Sequence, residues 1–342
     1  MVIICCLKKN KMWRLRKATR SDMSWTSIKN LAIYSIYSLV VALIIVEVIL
    51  RVIPPIPSSI GGGIGRAWNE KNWHPINEQG FRDLEVVLNP TKELLVFVGD
   101  SFTAGYGVSF ENTYSSALRE KLSKGYDVVN LGANGTATSQ QRMNYVNFIR
   151  SFQKAPSDVV YQYFGNDIDD FVNPSECYSD NSNFSKFLLE VSFLYGLFDV
   201  IFVQKDSSSC YQDKLEAAYR DDVRSKDHKS QVEEFARLIQ SLNSNIIFVA
   251  FPFLNNETLL AESQSLYIES LKRLFQNYCK KGDWFYDASN AALSLKTSDR
   301  VASFMDAHPS KALHELISKD IGKLVLNVSD ADRVSGAYRC KS

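Results

Sequence analysis

Histidine is scarce in this chain of 342 residues, with four copies, and cysteine is little commoner, with six. No two cysteines are spaced C-x-x-C, so the pattern of a zinc or redox ligand set is missing. Sixteen glycines and nine prolines are too few for a collagenous chain, and six cysteines too few for a disulfide-dense mini-protein. Internal repeats are absent. With 45% apolar and 23% charged residues, the balance is that of an ordinary folded protein, not a disordered one. The length gives a soft prior of two domains, at about 150 residues each. Positive charge is missing where a nucleic-acid binder would need it. Residues 1–30 carry eight basic residues against Asp22 alone, a net +7, and the remaining chain is −6. The folded part is therefore acidic, and no nucleic-acid partner is expected.

After the basic head comes LAIYSIYSLVVALIIVEVIL, Leu31 to Leu50. Twenty residues at 1.5 Å each cover roughly the 30 Å hydrocarbon core of a bilayer. Glu47 is the one formal charge in the run, near its end and four residues before Arg51; Pro54 and Pro55 then stop a helix. The spacing predicts a transmembrane helix over 31–53. A buried core helix is the competing reading. A cleaved signal peptide fits less well, because its apolar region would be shorter and a small-residue cleavage site would come after it. Positive charge stays on the cytoplasmic side. Residues 1–30 are thus expected to be a cytoplasmic head, and everything after Ile53 to lie outside the cytoplasm. Cys5 and Cys6 fall on the reducing side. Cys177, Cys210, Cys279 and Cys340 fall where disulfides persist. Residues 54–79 read as a juxtamembrane linker, too rich in Pro, Ser and Gly for a long helix or a central strand.

Beyond the linker, strands and helices alternate. ELLVFVGD (93–100), YDVVNLG (126–132), SDVVYQYFG (157–165), NIIFVAF (245–251) and DWFYD (283–287) read as strands. Helices are predicted at Tyr114–Leu122, Ser139–Phe152 with Ser139 as N-cap, Gln231–Leu242, Glu262–Lys280 and after Pro309. This alternation points to an α/β fold with a parallel sheet covered on both faces, whose chemistry lies beyond the carboxyl ends of the strands.

Three strand ends and one late loop carry polar groups. The first strand ends in Gly99-Asp100-Ser101, and a Ser there can hold its hydroxyl open; it can also simply cap a helix. The second runs into Asn130-Leu-Gly-Ala-Asn-Gly135, where Gly135 can present its N–H with no side chain in the way, or be a turn glycine. The third ends in Gly165-Asn166-Asp167, whose Asn166 amide can donate to an oxyanion, or form an Asx-turn. Late in the chain stands Asp306-Ala307-His308-Pro309. A carboxylate two residues away can fix the tautomer of His308 and make it a better base. The other histidines offer less: His74 follows the linker, His228 sits in the charged run RDDVRSKDH and reads as a solvated face, and His314 belongs to the last helix. A Ser nucleophile needs a base, and an ester carbonyl under attack needs oxyanion donors. Ser101, His308 and Asp306, with donors at Ser101, Gly135 and Asn166, make up that set at one edge of one sheet.

These blocks, GDSFTAGYG, NLGANG, GND and DAHP in that order, resemble the GDSL or SGNH hydrolase superfamily. The resemblance runs from about Gly80 to Ile321 and includes Gly80-Phe81-Arg82-Asp83, similar to a segment preceding the nucleophile strand in membrane-linked members. It implies a three-layer flavodoxin-like sandwich and a serine hydrolase or O-acyltransferase needing no metal. It also implies Ser101 as nucleophile, Asp306 and His308 completing a triad, and an oxyanion hole of Ser101, Gly135 and Asn166. Two departures stand out. Asp and His are spaced D-x-H instead of D-x-x-H, as in members acting on exopolysaccharide acetyl groups. Leu313 replaces the glycine usual five residues after the histidine, which should alter packing and leave the chemistry in place.

The hydrolase-like domain is then expected over 80–326, with an insertion at about 171–229 and a C-terminal tail at 327–342. FSKFLLEVSFLYGLFDVIFV (184–203) in the insertion is too polar for an easy second span, with Lys186, Glu190 and Asp199. It reads as one or two helices, covering the sheet edge or offering a lid or lipid-facing surface. Cys177 and Cys210 bracket it and can be bridged. The expected function is a membrane-anchored esterase or O-acyltransferase acting on ester-linked acyl groups of an extracytoplasmic glycan. A lipase or thioesterase on lipid substrates is the alternative, and a non-catalytic surface protein on a hydrolase fold is the third.

Overall fold

The computed structural model describes residues 25–53, 56–57, 62–172, 174–177 and 182–341. Most of the basic head, with Cys5 and Cys6, lies outside the described residues. The chain divides into two units, Met1–Ile49 and Leu50–Ser342. The first contributes most of a 28-residue helix, Trp25–Val52, in which no residue is buried. Its mean hydropathy reaches 2.5, and it is long and apolar enough to cross a membrane. It starts ahead of the apolar run and takes in Lys29.

In the second unit, the five apolar runs form five parallel strands: β1 (Glu93–Val98), β2 (Tyr126–Asn130), β3 (Asp158–Tyr163), β4 (Asn245–Ala250) and β5 (Trp284–Asp287). A separate antiparallel hairpin joins β6 (Val301–Ser303) to β7 (Asp306–Pro309). The main sheet has the order β2-β1-β3-β4-β5-β8, with β8 (Ala337–Arg339) antiparallel on β5. Successive side chains of a strand point to opposite faces. Leu94, Val96 and Val98 accordingly enter one core with Tyr145, Phe235, Ile239 and Phe275. Leu95 and Phe97 enter the other with Leu118, Leu313, Ile317 and Ile321. Burying each such side chain is worth about 1.5–3 kcal/mol, so the two cores together hold helices on both faces. The result is the covered parallel sheet that the alternation predicts, and the three-layer, flavodoxin-like sandwich that the resemblance implies.

Several expectations are corrected. The linker contains an eleven-residue helix, Gly62–Asn72, despite its glycines. Tertiary contacts outweigh propensity there: Trp68 is buried, and a Cβ at Gly63 would fall 3.0 Å from the Phe193 ring, so glycine permits the close approach. The tail is not loose. It supplies β8, and Cys340 is disulfide-bonded to Cys279. His228 is not on a solvated face but 1% exposed, with Nε2 2.7 Å from the Tyr163 hydroxyl. Its helix, Asp222–Ser241, buries Ser225, His228, Val232, Phe235 and Ile239 at helical spacing, and the charges around His228 fill the other face. Ser139 does not cap its helix, which begins at Thr138 with Ala137 at the cap; the Ser139 hydroxyl instead donates to Asp170 at 2.8 Å.

Candidate active site

In a sheet of this order the winding reverses between β1 and β3, and the crevice beyond their carboxyl ends is where ligands bind. Ser101 stands there. β1 ends at Val98, Gly99 and Asp100 turn the chain, and Ser101 opens the short helix Ser101–Ala104. Asp100 caps that helix, accepting from Phe102 N–H at 2.8 Å, and Gly105 closes it in the left-handed conformation. As the first residue of the helix, Ser101 has an N–H with no partner inside it.

His308 reaches Ser101 from β7. Its Nε2 lies 2.7 Å from Ser101 Oγ, and its Nδ1 lies 2.5 Å from Asp306 Oδ1. The D-x-H spacing is explained by the strand: residues two apart share a face, so the carboxylate sits beside the ring. Asp306 Oδ1 also accepts from the His308 backbone N–H at 3.0 Å. The imidazole is held between Phe102 and Tyr106, with ring centroids 5.4 and 5.1 Å away. Asp306 is fully enclosed, and the His308 side chain keeps 17% of its surface exposed. Leu313 is buried in the second core, as expected of a packing change.

The loops after β2 and β3 flank this pair. Gly135 is exposed with φ +67°, and a Cβ there would meet nothing within 4 Å; conformation, not space, asks for glycine. At Gly132 the reason is the opposite. A Cβ would fall 2.4 Å from Ala104 N, so the β2 loop can lie against the Ser101 helix only without one. Asn130 fixes that approach, donating to Thr103 O at 2.9 Å and accepting from Gly132 N–H at 2.9 Å. Beyond β3, Asn166 lies in the 3₁₀ segment Gly165–Phe171, where its Oδ1 is buried without a partner. Asp167 accepts from Phe164 N–H at 2.7 Å and from the Gln141 amide, which anchors the turn that presents Asn166. Burial, with Asp100 nearby, holds the Asp167 carboxyl well above the usual range.

Asp100 is a residue that sequence reasoning passed over. Burial lifts its carboxyl to about 6, opposed by the Phe102 N–H, by His308 and by the nearby polar side chains of Gln162 and Asn166. Gln162, next to last in β3, supports the turn from below: its Oε1 accepts from Asp100 N–H at 3.0 Å and from Thr103 Oγ1 at 2.8 Å. A glutamine in an otherwise apolar strand was the available signal. The Gly80-Phe81-Arg82-Asp83 segment also gains a role. Arg82 is buried and donates to Gly105 O at 2.5 Å, to Val108 O at 2.8 Å and to Asn72 O at 2.8 Å, tying the loop after Ser101 to the end of the Gly62–Asn72 helix. Asp83 accepts from Asn130 N–H at 2.8 Å and pairs with Arg119. The hairpin is fixed as well, its Ser303 hydroxyl donating to Pro57 O at 2.7 Å.

Residues 97–316 match the model of the GDSL-like lipase/acylhydrolase family. No curated protein matches the chain. Solved structures with a similar course include TesA, 11% identical with TM-score 0.41 over 68% of this chain and 98% of that one. A catalytic mutant of Axe2, an acetylxylan esterase from Geobacillus stearothermophilus, is 16% identical with TM-score 0.41 over 70% and 96%. A lipolytic protein of the G-D-S-L family from Veillonella parvula is 13% identical with TM-score 0.41 over 70% and 98%.

Proposed function

Because the chain belongs to the GDSL-like lipase/acylhydrolase family, and is thus a hydrolase of ester bonds, we propose that it is a membrane-anchored serine enzyme that removes or transfers acyl groups of an extracytoplasmic glycan. One observation carries the chemistry: Ser101 Oγ, the His308 ring and Asp306 Oδ1 form one continuous hydrogen-bonded line, with 2.7 and 2.5 Å separations.

In this reading Asp306 accepts from His308 Nδ1–H, which leaves the Nε2 lone pair facing Ser101. Nε2 takes the hydroxyl proton as Oγ attacks the ester carbonyl carbon. The carbonyl electrons move onto oxygen, and that charge is met by the N–H groups of Ser101 and Gly135 and by the Asn166 amide. When the tetrahedral intermediate collapses, the bond to the alcohol breaks, and the alcohol leaves with the proton from His308. An acyl-enzyme on Ser101 remains. Water, or a sugar hydroxyl, then gives its proton to Nε2 and attacks the acyl carbon; the bond from that carbon to Oγ breaks, and Nε2 returns the proton to Ser101 Oγ. Hydrolysis and transfer differ only in which hydroxyl arrives. The glycan reading rests on location: positive charge confined to the head favours residues 1–30 in the cytoplasm and the hydrolase domain, 80–326, outside.

A membrane-impermeant fluorophosphonate applied to the outer face of intact membranes tests both parts. The wild-type chain should be labelled from outside and a folded Ser101→Ala chain should not. Labelling that needs permeabilised membranes sinks the orientation, and labelling that survives Ser101→Ala sinks the nucleophile. Purified enzyme should prefer p-nitrophenyl acetate to the octanoate; the reverse preference replaces the glycan with a lipid or thioester substrate.

A further inference from the structure

The insertion after β3 carries apolar surface that the sandwich does not use. Helix Asn183–Val191 exposes Phe184, Phe187 and Val191, spaced three and four residues apart on one face. The next helical stretch, Phe193–Phe202, exposes Phe198, Ile201 and Phe202 in the same spacing. Phe187 is 58% exposed and Phe202 66%. Large aromatic side chains left in water side by side mark a surface with a partner. Ten residues span about 15 Å, half of a bilayer core, so this stretch does not cross a membrane by itself.

The same segment is fastened to the end of the candidate span. Arg51, the charge that closes the apolar run, donates to Val191 O, and its guanidinium lies 5.0 Å from the Phe193 ring. Val191 ends the first exposed stripe, and Phe193 lies between it and the second. A residue that ends a span rests at headgroup level, and what touches it rests at that level too. The charges on the segment agree. Glu190 is paired with Arg66, Asp199 is buried, and exposed Lys186 lies between Phe184 and Phe187 in sequence, a cation placed for anionic headgroups beside a face placed for acyl chains. The Cys177–Cys210 disulfide closes the base of the insertion.

We propose that the exposed faces of Asn183–Val191 and Phe193–Phe202 lie in the interfacial layer of the bilayer that the N-terminal helix enters, so that the hydrolase domain is seated on the membrane surface instead of held away from it on a linker. The inference rests on the reading of Trp25–Val52 as a span.

The test uses the full chain with Cys5 and Cys6 replaced by Ser, in phosphatidylcholine–phosphatidylglycerol vesicles. An environment-sensitive NBD dye is attached through Phe187→Cys or Phe202→Cys, and through Val223→Cys as a control at an exposed position in the first turn of the Asp222–Ser241 helix; two labelled positions keep the test alive if one variant misfolds. The dye at 187 or 202 should shift to the blue and lose emission to lipids carrying a doxyl group near the headgroup, more than to lipids with a deep doxyl. The dye at 223 should do neither. A chain that resists carbonate extraction while the dye at 187 and 202 behaves as at 223 overturns the docking and leaves the span standing. A shift that scales with protein density in the vesicles, not with lipid, assigns the face to a second copy and overturns it too. A chain released by carbonate overturns the span and the docking together.

Discussion

Asn166 illustrates how little of a residue's work its own side chain decides. Its position depends on Asp167, which accepts from Phe164 N–H and from the Gln141 amide. If its amide meets the developing oxyanion, the interaction exists only in the transition state and should appear in kcat. Removing one such donor typically costs about 2.7–4 kcal/mol, so Asn166→Ala should lower kcat roughly 10²–10³-fold with little change in KM. A full-rate variant, or one impaired only in KM, returns Asn166 to the status of a turn residue. At the same scale, the D-x-H spacing ceases to be a departure once β7 is seen. An extended strand brings residues two apart onto one face, which a helical turn would not.

Among the elements, the insertion and the tail show how disulfides act where strand pairing is thin. Cys177 and Cys210 are 33 residues apart, and the bond between them encloses the helices Asn183–Val191 and Phe193–Phe198. Closing a loop of that size is worth up to about 4 kcal/mol through the entropy of the unfolded chain. The Cys177→Ser/Cys210→Ser double variant should therefore lose stability of that order in urea titration and be cut faster by trypsin at Lys186 or Lys214. Unchanged cleavage and an unchanged midpoint would mean that packing alone holds the insertion. The linker helix Gly62–Asn72 belongs to the same scale. Its sequence argues against a helix, and it forms because Trp68 packs on Tyr106 at 5.2 Å and Arg82 holds its last residue.

At the scale of the whole molecule, two buried histidines couple stability to pH. Burial lowers His228 and His314 to about 3, with Lys229 acting the same way on the first and with Arg82 and His308 on the second. Between that value and the unfolded value of 6.5, the unfolded chain binds a proton that the native chain does not. Stability from this source is therefore complete above 6.5 and drains away as pH falls below it. The loss for His314 is about 2 kcal/mol between about pH 7 and about pH 5. In His314→Gln the difference in unfolding free energy between those two pH values should shrink by about that amount. An unshrunk difference would mean that His314 stays neutral in both states or charged in both.

The sequence by itself settled what depends on neighbours along the chain. Short apolar runs at β1 to β5, the twenty-residue apolar run, the charge confined to residues 1–30, and four short blocks in family order were enough for the sandwich and the candidate span, and they named Ser101, Gly135, Asn166, Asp306 and His308 as candidates. What it left open depends on partners far away in the chain. The pairing of β8 with β5, the bond between Cys279 and Cys340, the burial of His228 against Tyr163 and the hydrogen bonds of Gln162 to Asp100 and Thr103 on either side of Ser101 join segments whose closeness no local pattern records. His228 is the sharpest case, because charge composition along the chain says solvent, and only the packing of one helix face on β3 says core. The line from Asp306 through His308 to Ser101 closes over 207 residues in the same way: the residue types were legible in the chain, and their 2.7 Å contact is a product of the winding of the sheet.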